Sequence, residues 1–233
     1  MYQNIVFDLY GTLVDIHTDE TKPEFWQKVA DYYAYHGANY EPQELRDAYE
    51  NGVKNQAASL PEGAEVDLGN VFAELYTQKN VEVDPQRIAD TAAAFRKYSM
   101  EKLRLFDGTI EMLEGLQAAG KKIYLLSNAQ ALFTRAELKI TGLEGYFDGI
   151  LLSSDAGYKK PSKEFYGLLT SRFSVNPEES LMVGNDDVAD CHGASQAGMD
   201  SLYIYTEQSP KQEKPLPENC HQITEILQVL SYI

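Results

Sequence analysis

Near the start of the chain an apolar run, Ile5-Val6-Phe7, ends in a carboxylate, Asp8, followed by Tyr10, Gly11 and Thr12. A carboxylate at the end of a strand can attack an electrophilic phosphorus or carbon. Water then cleaves the ester, so one hard displacement becomes two easier ones. Gly11 permits a backbone bend and close approach to a ligand, and Thr12 brings a hydroxyl and an amide that can hold an anion. Three further clusters have the composition of a site. Ser127 and Asn128 stand between an apolar run and a helical pattern, where free N–H groups grip an anion; the same pair also makes an ordinary N-cap. Lys159 and Lys160 precede Pro161, and lysine is a compact charge suited to neutralising a phosphoryl group or Asp8, though most lysines are simply solvated. Asn185, Asp186, Asp187 and Asp190 crowd after Leu181-Met182-Val183-Gly184. Like charges so close need a cation or a shared proton. Oxygen donors of this kind suit Mg2+, which takes one or two carboxylates, a substrate oxygen and waters; the alternative is an acidic helix start favoured by the dipole. Asp186 and Asp190, four apart, share a face if the segment is helical.

The elements that must position these clusters alternate. Short apolar runs at 122–126, 149–153, 180–183 and 201–205 read as buried strands, and helical patterns fill 108–119, 131–141, 162–173 and 188–197. Such alternation predicts a parallel sheet wound on both faces, with ligands beyond the carboxyl ends of its strands. Between the first strand and residue 106 the period is helical instead. Thr21 and Glu24 have capping-box spacing with Pro23 in the first turn, opening a helix through Trp26 and Tyr33 to about Gly37; further helices are predicted over 42–58, 66–78 and 85–103. Residues 208–218, with three prolines, read as a surface loop before a last short helix.

The chain has 233 residues, 43% of them hydrophobic, enough to bury one large domain or two small ones. Its net charge of −16 opposes nucleic acid and anionic membranes, which leaves small molecules as the expected partners. No run is long and apolar enough to span a membrane or to serve as a cleaved leader. Cys191 and Cys220 form neither zinc spacing nor a disulfide framework, and a reducing cytoplasm is the expected location. The four histidines have no mutual spacing that suggests a zinc site or a triad.

Taken in order, the four clusters resemble motifs I to IV of the haloacid dehalogenase (HAD) superfamily, and the helical stretch resembles that family's alpha-helical C1 cap. The resemblance covers nearly the whole chain. It implies an α/β fold: a doubly wound parallel sheet, the Rossmann-like HAD core, from residues 1–14 and 106–233, with an inserted four-helix cap domain over 15–105. It implies Asp8 as nucleophile, with Tyr10, Thr12, Ser127 and Lys160 in catalysis and Gly11, Ser127, Asn128 and Lys160 against the substrate. Mg2+ would be held by Asp8, the backbone carbonyl of Tyr10 and Asp186, with Asn185 or Asp190 assisting. Two positions depart from the phosphatase pattern. Most phosphatases of the superfamily carry a second Asp where Tyr10 stands, and many carry Asp where Asn185 stands. Tyr10 is the residue of 2-haloacid dehalogenases; those enzymes, however, have Ser and Asn in motif IV, need no metal, and bind halide through an Arg early in the cap, where the Trp26 helix offers only Lys28. The expected activity is hydrolysis of a small phosphomonoester by a monomer or homodimer, the alternatives being a metal-independent 2-haloacid dehalogenase and a weakly active protein that binds phosphorylated metabolites.

Overall fold

In the computed structural model, which describes residues 2–233, the chain folds around six parallel strands. They are β1 (Asn4–Phe7), β4 (Lys122–Ser127), β5 (Gly149–Leu152), β6 (Ser180–Gly184), β7 (Asp200–Ile204) and β8 (Cys220–Ile223), in the order β5-β4-β1-β6-β7-β8. Every pairing is parallel. β1 is central and wholly buried, as a strand covered on both faces must be. Its side chains alternate: Ile5 and Phe7 pack with α5 (Thr109–Ala118), while Val6 packs with α8 (Lys163–Phe173). The expected doubly wound α/β sheet is therefore present, with helices on both faces.

Four helices, α1 (Pro23–Tyr35), α2 (Pro42–Ser59), α3 (Leu68–Thr77) and α4 (Pro85–Ser99), stand outside this sheet around an aromatic cluster of their own. Phe25, Trp26, Tyr33, Phe72, Tyr76 and Phe95 are buried there, and Phe133 of α6 (Ala131–Ile140) reaches in from the sheet unit. None of the helices among the described residues is long and apolar enough to cross a membrane.

Several local expectations need correction. The helix expected over 85–103 stops at Ser99, because Met100–Leu105 leaves as β3 and pairs antiparallel with β2 (Val14–Thr18). This two-stranded ribbon carries the chain out of the sheet and back, and both strands were missed because neither alternates cleanly in burial. Thr21 closes no capping box: its hydroxyl donates to Asp19 at 2.6 Å, and α1 opens after Lys22 on Pro23 without a side-chain cap. The helix expected over 188–197 is split into a π-helical turn, Asp187–His192, and a single turn, α9 (Gly193–Gln196). β8 adds an edge strand where only a loop and a short helix were expected.

Candidate active site

Asp8 leaves the end of β1 with its amide donating to the Val183 carbonyl of β6 at 2.9 Å, so the neighbouring strand fixes where its side chain begins. The chain then turns at once. The amides of Thr12, Leu13 and Val14 all donate to the Leu9 carbonyl. Gly11 sits at φ +79°, and a Cβ there would run into the Asn185 side chain, so the turn requires glycine on both counts.

Three side chains converge on the Asp8 carboxylate. Lys160 Nζ donates to Oδ1 at 2.7 Å, Ser127 Oγ donates to the same oxygen at 3.2 Å, and Thr12 Oγ1 donates to Oδ2 at 3.4 Å. Ser127 is the last residue of β4, and Lys160 stands in the loop after β5 and α7 (Ser153–Ala156). Asn128 clamps that loop, its amide oxygen accepting from the Lys160 backbone N–H at 2.7 Å and its amide nitrogen donating to the Lys160 carbonyl at 3.0 Å. Lys159 is exposed, whereas Lys160 is only 3% accessible.

The carboxylates after β6 divide their work. Asp190 Oδ1 accepts from Lys160 Nζ at 2.7 Å and Oδ2 accepts from the Asp186 amide at 3.0 Å; a Cβ on Gly184 would fall on this carboxylate. Asp186 Oδ1 caps the π-helical turn, accepting from the amides of Val188 and Ala189 at 2.9 and 2.8 Å, and Oδ2 accepts nothing from the described residues. Asp187 is buried away from the others, where Oδ2 accepts from the amides of Glu213 and Lys214, both at 3.0 Å. Asn185 Oδ1 accepts from Thr12 Oγ1 at 3.3 Å, closing the ring beneath Asp8.

Burial works against the Lys160 ammonium, but Asp190 and Asp8 outweigh it and hold the amine above its ordinary range, hence charged. Burial raises the Asp190 carboxyl, with the Asp8 charge reinforcing and Lys160 opposing. Tyr10 points its hydroxyl away from Asp8, to Thr134 Oγ1 at 2.9 Å and to Glu137. Burial first, then the Glu137 charge, pushes that phenol well above its usual range.

Asp8, Tyr10, Ser127, Asn128, Lys160, Asn185, Asp186 and Asp190 line one cavity of about 180 Å³, and Gly11 and Thr12 lie beneath it. Apart from Lys159, which is exposed, and Asp187, which is turned to the 213–214 segment, the residues singled out in the four sequence clusters thus meet at the carboxyl ends of β1, β4, β5 and β6. Gln208 and Pro210 also line this cavity and were missed. Their segment is a strap: Thr206 Oγ1 donates to the Gly11 carbonyl at 2.9 Å, Gln208 Nε2 to Asp15 Oδ1 at 2.5 Å, and Asp187 holds the far side. The signal that would have found it is position, because the segment follows β7 at the same end of the sheet. A larger groove of about 650 Å³, between residues 104–108 and 224–227, contains none of the Asp8 cluster.

Among the described residues no three His, Cys, Asp or Glu side chains converge as a metal cage. The donors suited to Mg2+ are sparser: Asp8, the free oxygen of Asp186, the Tyr10 carbonyl, which accepts no hydrogen bond from the described residues, and the Asn185 amide oxygen. That set fits an ion that takes one or two carboxylates and keeps several waters.

The sequence profile of the haloacid dehalogenase-like hydrolases matches residues 2–198. The chain is 27% identical over 145 residues to the glyceraldehyde 3-phosphate phosphatase of Methanothermobacter thermautotrophicus, covering 62% of this chain and 64% of that one. It is 24% identical to the (S)-2-haloacid dehalogenase 4A of Burkholderia cepacia over 97% of this chain and 94% of that one. The first curated relatives match over about half to two thirds of their own length. Among solved structures, the magnesium-bound HAD-hydrolase YfnB of Bacillus subtilis superimposes with a TM-score of 0.60 at 18% identity, covering 99% of this chain and 98% of that one.

Proposed function

The chain belongs to the haloacid dehalogenase-like hydrolases, and on that premise we propose that it hydrolyses a small phosphomonoester, with Asp8 as nucleophile and Mg2+ as cofactor. The observation that carries this reading is Asp186, which keeps one oxygen uncommitted and lines the same cavity as Asp8. Asp8, Asp186 and the Tyr10 carbonyl would hold the ion, with Asn185 assisting; Asp190, engaged on both oxygens, holds Lys160 instead. When bound, Mg2+ supplies positive charge to the phosphoryl oxygens.

The residues of the chain do the rest. An Asp8 oxygen bonds to phosphorus as the bond to the alkoxide breaks, and the alkoxide takes its proton from water. A second water then adds to phosphorus, the bond to Asp8 breaks, and inorganic phosphate leaves with one proton released to solvent. Lys160, Ser127 and Thr12 hold the carboxylate in line, and the Lys160 charge faces the negative charge that develops. Helices α1–α4, within residues 15–105, act as the cap of a core formed by 1–14 and 106–233. They dock on the site loops, with the Glu65 amide donating to the Gly157 carbonyl at 3.1 Å and the Lys159 amide to the Gly63 carbonyl at 2.8 Å. Docking there excludes water and selects substrate by size.

A second reading, metal-independent 2-haloacid dehalogenation, is favoured by the Tyr10 hydroxyl. That group is committed to Glu137 and Thr134, so no acid from this position meets a leaving alkoxide. A halide departs without a proton. The test is hydrolysis of p-nitrophenyl phosphate and of 2-chloropropionate, with Mg2+ or EDTA, beside Asp8→Asn. Phosphate release that needs Mg2+ and falls by about a thousandfold or more in the variant is the expected result. Chloride release that survives EDTA would establish the dehalogenase, and tight phosphate binding without any turnover would establish a binding protein.

A further inference from the structure

Between the nucleophile loop and the helical bundle lies a buried charge chain that the reaction scheme leaves unused. Glu137, on the inner face of α6, is 3% accessible. One of its oxygens accepts from the Tyr10 hydroxyl, and the other faces Arg96 Nε of α4 at 2.9 Å. The Arg96 guanidinium lies over the Phe133 ring, 4.3 Å from its centroid, and Phe133 belongs to the aromatic cluster of the bundle. Residues 10, 96 and 137 come from three separate parts of the chain, so nothing local obliges them to meet.

We propose that Glu137 is a positioning residue for the Asp8 site: by gripping Tyr10 with one oxygen and Arg96 with the other, it makes the seating of α4 set the shape of the nucleophile loop. The proposal rests on the reading of Asp8 as the attacking group. Tyr10 is two residues from Asp8 and lines the same cavity, so a displaced phenol drags the turn that carries the nucleophile. Arg96 and Glu137 face each other without the alignment of a hydrogen bond, their Nε and Oε1 atoms having no other partner. This leaves the pair free to tighten or part as α4 moves. Among the described residues Arg96–Glu137 is the ion pair that joins the bundle to the sheet unit.

A plain structural staple would make a different prediction, since its loss lowers stability without changing the folded enzyme. The test is hydrogen exchange resolved to peptides, on wild type, Tyr10→Phe, Glu137→Gln and the double variant, together with kcat and KM on whichever of p-nitrophenyl phosphate or 2-chloropropionate is turned over. Glu137→Gln is expected to speed exchange about fivefold in both α4 and residues 9–14, with β4 and β6 unchanged. Tyr10→Phe, which removes a single hydroxyl, should reach across and speed exchange in α4. The double variant should be no worse than either alone, and kcat/KM should fall about tenfold in all three. Exchange that rises only beside each substitution, or effects that add in the double variant, would overturn the proposal. If neither substrate is turned over, the phosphatase and dehalogenase readings lose their support while the exchange experiment still decides the role of Glu137.

Discussion

The cluster around Asp8 and the core of the helical bundle are equally buried and are built from opposite materials. Asp8, Lys160, Asp187 and Asp190 are all buried at the end of the sheet, each held by a charge or by backbone amides. The bundle core has no charged member and is filled instead with interlocking rings: Phe95 lies 4.9 Å from Phe25, 5.2 Å from Tyr49 and 5.3 Å from Phe72, centroid to centroid. A buried charge is tolerated only while its partners remain, whereas rings are held by area and shape. The two regions should therefore fail differently, one by losing a partner and the other by opening a hole.

The largest effect is expected at Lys160. Replacing it by Met keeps the volume but leaves Asp8 and Asp190 facing each other without their shared cation, a change that should cost about 3–5 kcal/mol of stability together with nearly all activity. Adding Asp190→Asn should recover part of the stability but none of the rate. Urea melts and steady-state kinetics on the three proteins would show it, and stability unchanged in the single variant would mean that the carboxylates are solvated. Phe95→Ala tests the other material. A cavity in the aromatic cluster should cost about 3–4 kcal/mol, yet kcat/KM should fall no further than the roughly tenfold expected for Glu137→Gln, because Phe95 is linked to the Asp8 loop through Phe133, Arg96 and Glu137. A kcat that collapses would break the contrast and make the bundle core part of the chemistry.

The same contrast explains what was legible in the sequence. Aliphatic strands ending in Asp8, Ser127 and the Asn185–Asp190 cluster are continuous signals, because a central parallel strand must be apolar throughout and its loop must carry the polar groups. The four bundle helices were legible from period alone, with ends displaced by a few residues. What could not be read depends on contacts between distant segments. Met100–Leu105 becomes a strand only because Val14–Thr18 is there to pair with it. Nothing local distinguishes Gln208 from any polar residue of a proline-containing loop, or marks Glu137 as the partner of Tyr10. Among neighbouring carboxylates, type and spacing did not reveal that Asp187 anchors a strap while Asp186 keeps an oxygen free.

The strap itself offers a smaller test. Gln208→Ala removes a cavity-lining amide and its bond to Asp15 without burying a charge or opening the core. KM should rise by roughly threefold to tenfold with the thermal midpoint nearly unchanged. A change in kcat with KM untouched would place Gln208 against the reacting atoms instead.

The smallest effect should come from Asp15, on the ribbon that joins the two regions. Its carboxylate is 4% accessible and meets Lys102 at 2.7 Å and Arg104 at 2.8 Å. Burial alone would raise its pKa; the bonds from Lys102 and Arg104 outweigh burial and hold the carboxyl below its ordinary range. A carboxyl depressed in the folded state contributes stability above its unfolded pKa, near about 3.9, and that contribution is lost as pH falls through the folded value. Asp15→Asn should therefore lower the thermal midpoint by roughly 3 °C at neutral pH, and the gap to wild type should begin to narrow as pH falls through about 4 and close only below the depressed folded value, where both side chains are neutral. A gap that persists in acid would show that the ribbon depends on the shape of the Asp15 hydrogen bonds rather than on their charge, and would move this junction from the chemistry of the Asp8 cluster to that of the bundle.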